Sequence, residues 1–242
     1  MSERVLAVIP ARYAAQRFPG KPLAPLWGRP MLQHVWERAR AARGLDALVL
    51  ATDDERIAAV ARGFGAEVAM TSPDCASGTD RVAEVALRDP AAGIVFNLQG
   101  DEPELETEAV SRLAEVMRAE PSARMGTIAH HEPDVAKFTS PNVVKVVVDD
   151  HHHARYFSRA DLAGATAGGP VYRHAGVYAF RRDLLLEFAS WPPGRLERAE
   201  RLEQLRAVER GVRIRVVLGA RPFSGVDTPE QLAELEARGP QH

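Results

Sequence analysis

The chain has 242 residues, 45% of them hydrophobic and 26% charged, proportions that exclude a disordered, collagen-like or coiled-coil protein and leave one or two folded domains. Lys and Arg total 31 against 33 Asp and Glu, a net charge of −2. No bulk positive field is present to hold nucleic acid or an anionic membrane, so an anionic ligand requires a local site.

One cysteine, Cys75, leaves no internal disulfide and no Cys-based zinc spacing. The apolar run Val5–Ile9 stops at Pro10, too short for a signal peptide, and no stretch has the ~18 uncharged apolar residues of a membrane helix. The expectation is a soluble cytoplasmic protein.

Val5–Ile9 predicts a buried strand. A helical pattern follows from Pro30, with Leu32, Val35, Trp36 and Ala39 on one face and Gly44 beyond its end, matching helix start and stop signals. Leu45–Thr52 predicts a strand, Glu55–Phe64 a helix closed by Gly65, Glu67–Met70 a short strand, Asp80–Arg88 a helix and Ile94–Leu98 another buried strand. This alternation requires right-handed crossovers and a mostly parallel, doubly wound α/β sheet. Further on, Met125–His130, Val143–Val148 and Gly176–Phe180 are strand-like; the charge of Lys145 inside the second predicts an edge or face meeting solvent or ligand. Leu196–Arg210 predicts one long helix with Leu202, Leu205 and Val208 on its apolar face, Val212–Leu218 a strand and Thr228–Ala237 a closing helix. The expected arrangement is a single domain. Its core is roughly 1–120 and 210–242, and a smaller strand-rich subdomain, roughly 121–209, is inserted in the sheet.

Ligands of open parallel sheets sit beyond the carboxyl ends of the strands, which singles out three segments. Pro10–Leu23 carries Arg12, Arg17 and Lys21 with no acid. It has neither Walker nor dinucleotide glycine spacing, yet a long cationic loop after a strand can wrap a polyphosphate. Asn97–Pro103 places Asp101 between Gly100 and the Glu102-Pro103 pair, either as a Mg²⁺ ligand beside phosphates or as a turn residue bonding its own backbone. In Ser224–Gln231, Thr228 with Gln231 fits a capping box and Pro229 a first helical position; Asp227 is then available as a second metal ligand, or is itself the cap. The His151–His153 tract suits a solvated turn better than a metal site, Ser77 suits a helix cap, and Glu203 suits a helix-surface charge beside Arg206.

Several segments together resemble one family, the 3-deoxy-manno-octulosonate cytidylyltransferases. They are Ala11-Arg12-Tyr13 with Arg17–Leu23, Ser77–Arg81, Asn97–Pro103, Asn142–Val147, Tyr156–Ala160, Arg173–Tyr178, Leu202–Arg206 and Gly225–Pro229. The resemblance spans nearly the whole chain, and the cationic loop and Gln99–Pro103 are its most specific parts. It implies a nucleotide-diphospho-sugar transferase-like fold and a homodimer that uses CTP and Mg²⁺ to couple CMP to the acid sugar Kdo, releasing pyrophosphate. Carried over by position, Arg12, Arg17 and Lys21 resemble the triphosphate clamp and Asp101 with Asp227 the metal pair. Ser77 and Gly78, with the backbone near Ala11, resemble the cytosine contact; Gln99, Arg159, His174, Tyr178 and Glu203 resemble the group around the sugar. Two departures are evident: Ala15 stands where the family commonly has Ser, and Asp161–Arg173 is shorter than usual and rich in Ala and Gly. The alternatives are a cytidylyltransferase for an amino-Kdo or sialic-like acid, a glycosyltransferase of similar sheet architecture, and a non-catalytic nucleotide-sugar sensor.

Overall fold

In the computed structural model, which describes residues 3–14, 18–162, 171–223 and 225–240, Arg4–Ala11 forms β1, buried along almost its whole length. Its side chains alternate, as a strand's must: Val5, Ala7 and Ile9 enter one apolar core and Leu6 and Val8 the other. A strand buried on both faces demands helices on both sides of the sheet.

A two-residue hairpin, β2 (Pro25–Leu26) with β3 (Arg29–Pro30), leads into helix α1 (Met31–Ala41). Then come β4 (Ala47–Thr52), α2 (Glu55–Gly63), β5 (Glu67–Met70), α3 (Gly78–Arg88), β6 (Ala92–Asn97) and α4 (Thr107–Ala119). Helices α1, α2 and α4 cover one face through Leu32, Val35, Ile57 and Leu113. Helix α3 covers the other through Val82, Val85 and Ala86. Strands β4 and β6 flank β1 in parallel register, with Ile9 opposite Leu50 and Val8 opposite Asn97. The crossovers run to opposite sides of β1, so a crevice opens above the carboxyl ends of β1 and β6.

The remaining elements are β7 (Met125–His130), β8 (Lys145–Val148), β9 (His153–Ser158), β10 (Val171–Arg181), helices α5 (Arg182–Ser190), α6 (Arg195–Glu200) and α7 (Leu205–Glu209), β11 (Ile214–Gly219) and α8 (Pro229–Arg238). Among the described residues the sheet order is β5-β4-β1-β6-β10-β7-β11-β9-β8, with β10 antiparallel to both neighbours. Strand β8 also pairs with the first residues of β10, Val171 opposite Val147. The pairings β10–β7–β11–β9–β8–β10 therefore close on themselves. Register slips between Ala175 and Tyr178 of β10 against β7, a bulge that re-aims the flanking side chains.

Two expectations are corrected here. The single helix Leu196–Arg210 is two, α6 and α7, because Arg201 adopts a left-handed conformation at φ 56°. The break buries Leu202 and turns Glu203 and Gln204 inward, which a continuous helix with one apolar stripe would not do. Lys145 itself does not meet solvent, although Val143 and Val144 of the same run line a cavity. The Lys145 side chain is fully buried, and the ammonium donates to the carbonyls of Ser140, Val143 and Arg159 at 2.8, 2.9 and 3.0 Å.

Candidate active site

Two cavities open beyond the carboxyl ends of β1 and β6. The smaller, about 280 Å³, is lined by Ala11, Arg12, Lys21, Gly78 and Arg81. The larger, about 520 Å³, is lined by Arg159, Arg173, His174, Tyr178, Glu203 and Gln204, among others. Gln99 and Asp101 line both. A ligand in one cavity therefore meets a ligand in the other at the Asp101 carboxylate.

Asp101 is delivered by the turn after β6. Gly100 is required there, because a Cβ would lie 2.8 Å from the Pro10 carbonyl oxygen. The Asp101 carbonyl accepts from the Val226 N–H at 2.8 Å, which draws the loop before α8 against the loop after β6. Lys21 Nζ then lies 2.6 Å from Asp101 Oδ2 and 3.6 Å from Asp227 Oδ1. The Asp101 carboxylate thus pairs across the crevice rather than merely serving its own turn. At the start of α8 the capping residue is Thr228, whose Oγ1 accepts from the Gln231 N–H while Gln231 Oε1 accepts from the N–H groups of Asp227 and Thr228. Asp227 does not do that job. Among the described residues no cluster of three or more His, Cys, Asp or Glu forms a metal cage. Two converging carboxylates with a cation between them nevertheless suit Mg²⁺, which takes one or two carboxylates and completes its shell with water and phosphate oxygens.

Beside the smaller cavity Arg12 Nη2 donates to the Ala76 carbonyl at 3.3 Å, holding the cationic loop near the start of α3. Ser77 caps α3 in a full capping box with Asp80, so its hydroxyl is engaged and the helix's amino end faces the smaller cavity, a favourable place for negative charge. Arg17, with Ala15 and Gln16, lies outside the described residues, as do Ser224 and residues 163–170. Arg81 belongs to the site although the sequence assigned it nothing. It is 1% exposed, pairs with Asp53 at 3.2 Å and donates to Thr71 Oγ1.

On the other side Glu203 is not a helix-surface charge. It sits in the α6–α7 break and accepts from Thr79 Oγ1 at 2.6 Å, while Thr79 accepts from Asn97 Nδ2 at 3.2 Å. Burial pushes its carboxyl upward, against the opposing pull of Thr79 and Arg206. His174 and Tyr178 flank the β10 bulge. Burial takes the His174 imidazole down to about 3 and raises the Tyr178 phenol well above its usual range. Both are neutral at pH 7 and act as hydrogen-bonding groups. Thr127 Oγ1 lies 2.7 Å from the Val177 carbonyl and 2.9 Å from His174 Nε2. A hydroxyl has one proton, and the carbonyl can only accept it, so Nε2–H donates to Thr127 and Nδ1 remains an acceptor.

Two further groups at this cavity escaped sequence reasoning. Glu102 is buried and accepts from the Gly176 N–H at 3.0 Å. Burial, with Asp101 beside it, pushes its carboxyl up to about 8, and its Oε2 has no partner within the protein. Gln204 Nε2 is likewise buried and unpartnered. Only its adjacency to Glu203 in a quoted motif pointed to Gln204, and Glu102 was visible merely as the neighbour of Asp101.

The sequence model of the cytidylyltransferase family matches residues 6–214. The chain belongs to the cytidylyltransferase family. A 3-deoxy-manno-octulosonate cytidylyltransferase of Anaeromyxobacter is 52% identical over 239 residues, covering 97% of this chain and 96% of that protein. An 8-amino-3,8-dideoxy-manno-octulosonate cytidylyltransferase of Shewanella is 45% identical, covering 97% and 98%. Among solved structures, a CMP:2-keto-3-deoxy-manno-octonic acid synthetase complexed with CTP superposes with a TM-score of 0.91 at 40% identity, covering 98% of each chain. The cytidylyltransferase architecture expected from the sequence, an α/β nucleotide-diphospho-sugar transferase-like fold, is therefore the one present. No helix among the described residues is long and apolar enough to cross a membrane.

Proposed function

We propose that this chain transfers CMP from CTP to the anomeric hydroxyl of 3-deoxy-manno-octulosonate, forming CMP-Kdo and pyrophosphate for lipopolysaccharide synthesis, as a homodimer in the cytoplasm. The observation that carries the reading is the shared wall. The clamp cations Arg12 and Lys21 line one cavity, the acid-sugar group lines the other, and Asp101 stands where the two meet. The cationic loop, with Arg12, Arg17 and Lys21 and no acid, suits a triphosphate better than the diphosphate sugar of a glycosyltransferase.

The smaller cavity takes CTP, with the start of α3 at Ser77 and Gly78 and the backbone near Ala11 meeting the cytosine. Arg12, Lys21 and Arg17 hold the β- and γ-phosphates and neutralise charge on the departing pyrophosphate. Such transfers gain chiefly from positioning and charge compensation. The larger cavity takes the sugar. Arg159 offers a planar donor fork for its carboxylate, while Gln99, Glu203, Tyr178 and His174 Nδ1 meet hydroxyls. Asp101 and Asp227 would hold Mg²⁺, which when bound supplies a lowered hydroxyl pKa and compensation of phosphoryl charge. The protein's own part is to bring the hydroxyl and the α-phosphorus into line at the junction.

The second reading is the 8-amino sugar. It is favoured by the Shewanella relatives and by the buried carboxyls Glu102 and Glu203 in the larger cavity, which could accept from an ammonium. Pyrophosphate release tests both, with CTP against ATP, GTP and UTP, and with Kdo against its 8-amino analogue and a sialic acid. The expected result is release with CTP and Kdo. Binding of CTP without release for any sugar, Mg²⁺ present, would refute the assignment.

A further inference from the structure

The backbone of Arg159 is gripped from both sides by charged side chains, the buried Lys145 and the half-buried Glu200. Its N–H donates to Glu200 Oε2 at 2.9 Å, and its carbonyl accepts from Lys145 Nζ at 3.0 Å. Its guanidinium reaches the Pro141 carbonyl at 3.0 Å, inside the same loop that Lys145 ties through Ser140 and Val143. An ammonium has three protons, and all three of Lys145's are used on carbonyls. Glu200 also accepts from Ser158 Oγ at 2.9 Å and from the Tyr156 hydroxyl at 3.4 Å. Burial raises the Glu200 carboxyl, but these hydrogen bonds outweigh it and keep the group below its usual range.

Burying a lysine carries a large desolvation cost. Apolar residues could pack β8 against β9 without that cost. The ion adds a fixed relation between segments that are far apart in the chain. Lys145 sets the loop 140–143 against the end of β9, and Glu200 sets the end of β9 against the last turn of α6, next to the Arg201 break. Each of these segments supplies wall to the larger cavity, through Asn142, Val143, Arg159, Glu203 and Gln204. Neither Lys145 nor Glu200 lines that cavity.

We propose that Lys145 and Glu200 are positioning residues for the sugar substrate, clamping the Arg159 backbone so that its guanidinium is presented at a fixed place. This deepens the reading of the larger cavity as the sugar subsite and rests on it. Steady-state pyrophosphate release is measured for wild type, Glu200→Gln, Glu200→Ala, Lys145→Met, Arg159→Ala and the double variant Glu200→Ala/Arg159→Ala, with KM taken separately for Kdo and CTP. Loss of a hydrogen bond to a charged group predicts a Kdo KM raised about tenfold in Glu200→Ala and Lys145→Met. The CTP KM should stay within about twofold in both, because neither residue touches the smaller cavity. Glu200→Gln, which keeps an acceptor oxygen for the Arg159 N–H, should fall between wild type and Glu200→Ala. On the Arg159→Ala background, Glu200→Ala should add less than about twofold, since residues acting through one group are not additive. Melting curves identify any variant that fails to fold, and Glu200→Gln, isosteric with the native side chain, then carries the comparison. Equal rises in both KM values, or full additivity with Arg159→Ala, would overturn the clamp and leave a merely structural pair. An unchanged Kdo KM in Arg159→Ala would instead overturn the sugar-subsite reading itself.

Discussion

Lys21 Nζ lies 2.6 Å from Asp101, and the same ammonium reaches Asp227 at 3.6 Å. The two carboxylates are 126 residues apart in sequence and meet around one positive charge, which sits at the wall between the two cavities. Lys21 of the cationic loop and the carboxylate pair are thus one electrostatic unit.

Replacing Asp227 by Asn keeps its size and one oxygen but removes its charge. Turnover should fall at least ~100-fold, the scale of losing one preorganised electrostatic group, with CTP binding retained. Single-turnover pyrophosphate release under saturating Mg²⁺ and both substrates checks this, and a near-normal rate would remove Asp227 from the reaction.

Lys21→Met leaves Asp101 and Asp227 facing the crevice without the ammonium that competes for them. Mg²⁺ should therefore raise the melting temperature of the variant at least ~2 °C more than it raises that of wild type, since an ion that binds only the native state stabilises it. Turnover should drop by ~100-fold or more through loss of the phosphate contact. Equal Mg²⁺ responses of the two proteins would mean that the carboxylates do not share an ion.

Gly100→Ala tests the close approach of the turn after β6 to β1. The added Cβ would lie 2.8 Å from the Pro10 carbonyl oxygen, and backbone cannot swing aside as a side chain can. The turn must lift and carry Asp101 with it. A displacement of this kind should lower kcat by ~10- to 100-fold while circular dichroism shows the fold intact.

His130 is fully buried, with its ring edge-on to Phe223 and Glu106 Oε2 3.5 Å from its Nδ1. Burial pulls it down to about 4, below the ordinary ~6.5 of the unfolded chain. Between those values the unfolded state takes up a proton that the native ring does not. Stability is therefore fully present above about pH 6.5 and is lost as pH falls toward 4, by about 3 kcal/mol in all. His130→Phe should remove that part of the slope, while His174, pulled down to about 3, retains its own. Urea unfolding at pH 7 and pH 5 measures the difference; identical slopes in variant and wild type would contradict it.

Apart from the β2–β3 hairpin, which was not read, the strands and helices from β1 to β6 were legible because each strand is a short apolar run and each helix shows one apolar stripe between clear punctuation. Thr228 with Gln231 was legible as a capping box and is one. Helices α4 and α5 were not read, although Val110, Leu113 and Met117 of α4 repeat at helical spacing and lie in the core. Where local pattern failed, tertiary contacts decided. The run from Leu196 to Arg210 favours helix throughout, and only packing against the cavity explains a left-handed arginine in its middle. The charge of Lys145 suggested exposure because nothing local shows that three carbonyls converge on it. Glu102 and Gln204 escaped for the same reason: their meaning lies in a cavity assembled from both halves of the chain.

The closed circuit of pairings through β8 and β10 also bears on how the molecule meets its own copies. An open sheet has two rims of unsatisfied amides that recruit further strands. Here, among the described residues, β8 is paired on both sides, which leaves β5, four residues long, as the one terminal strand of the nine-stranded sheet. Within that sheet, addition of a foreign strand is thereby directed to the flank farthest from β8.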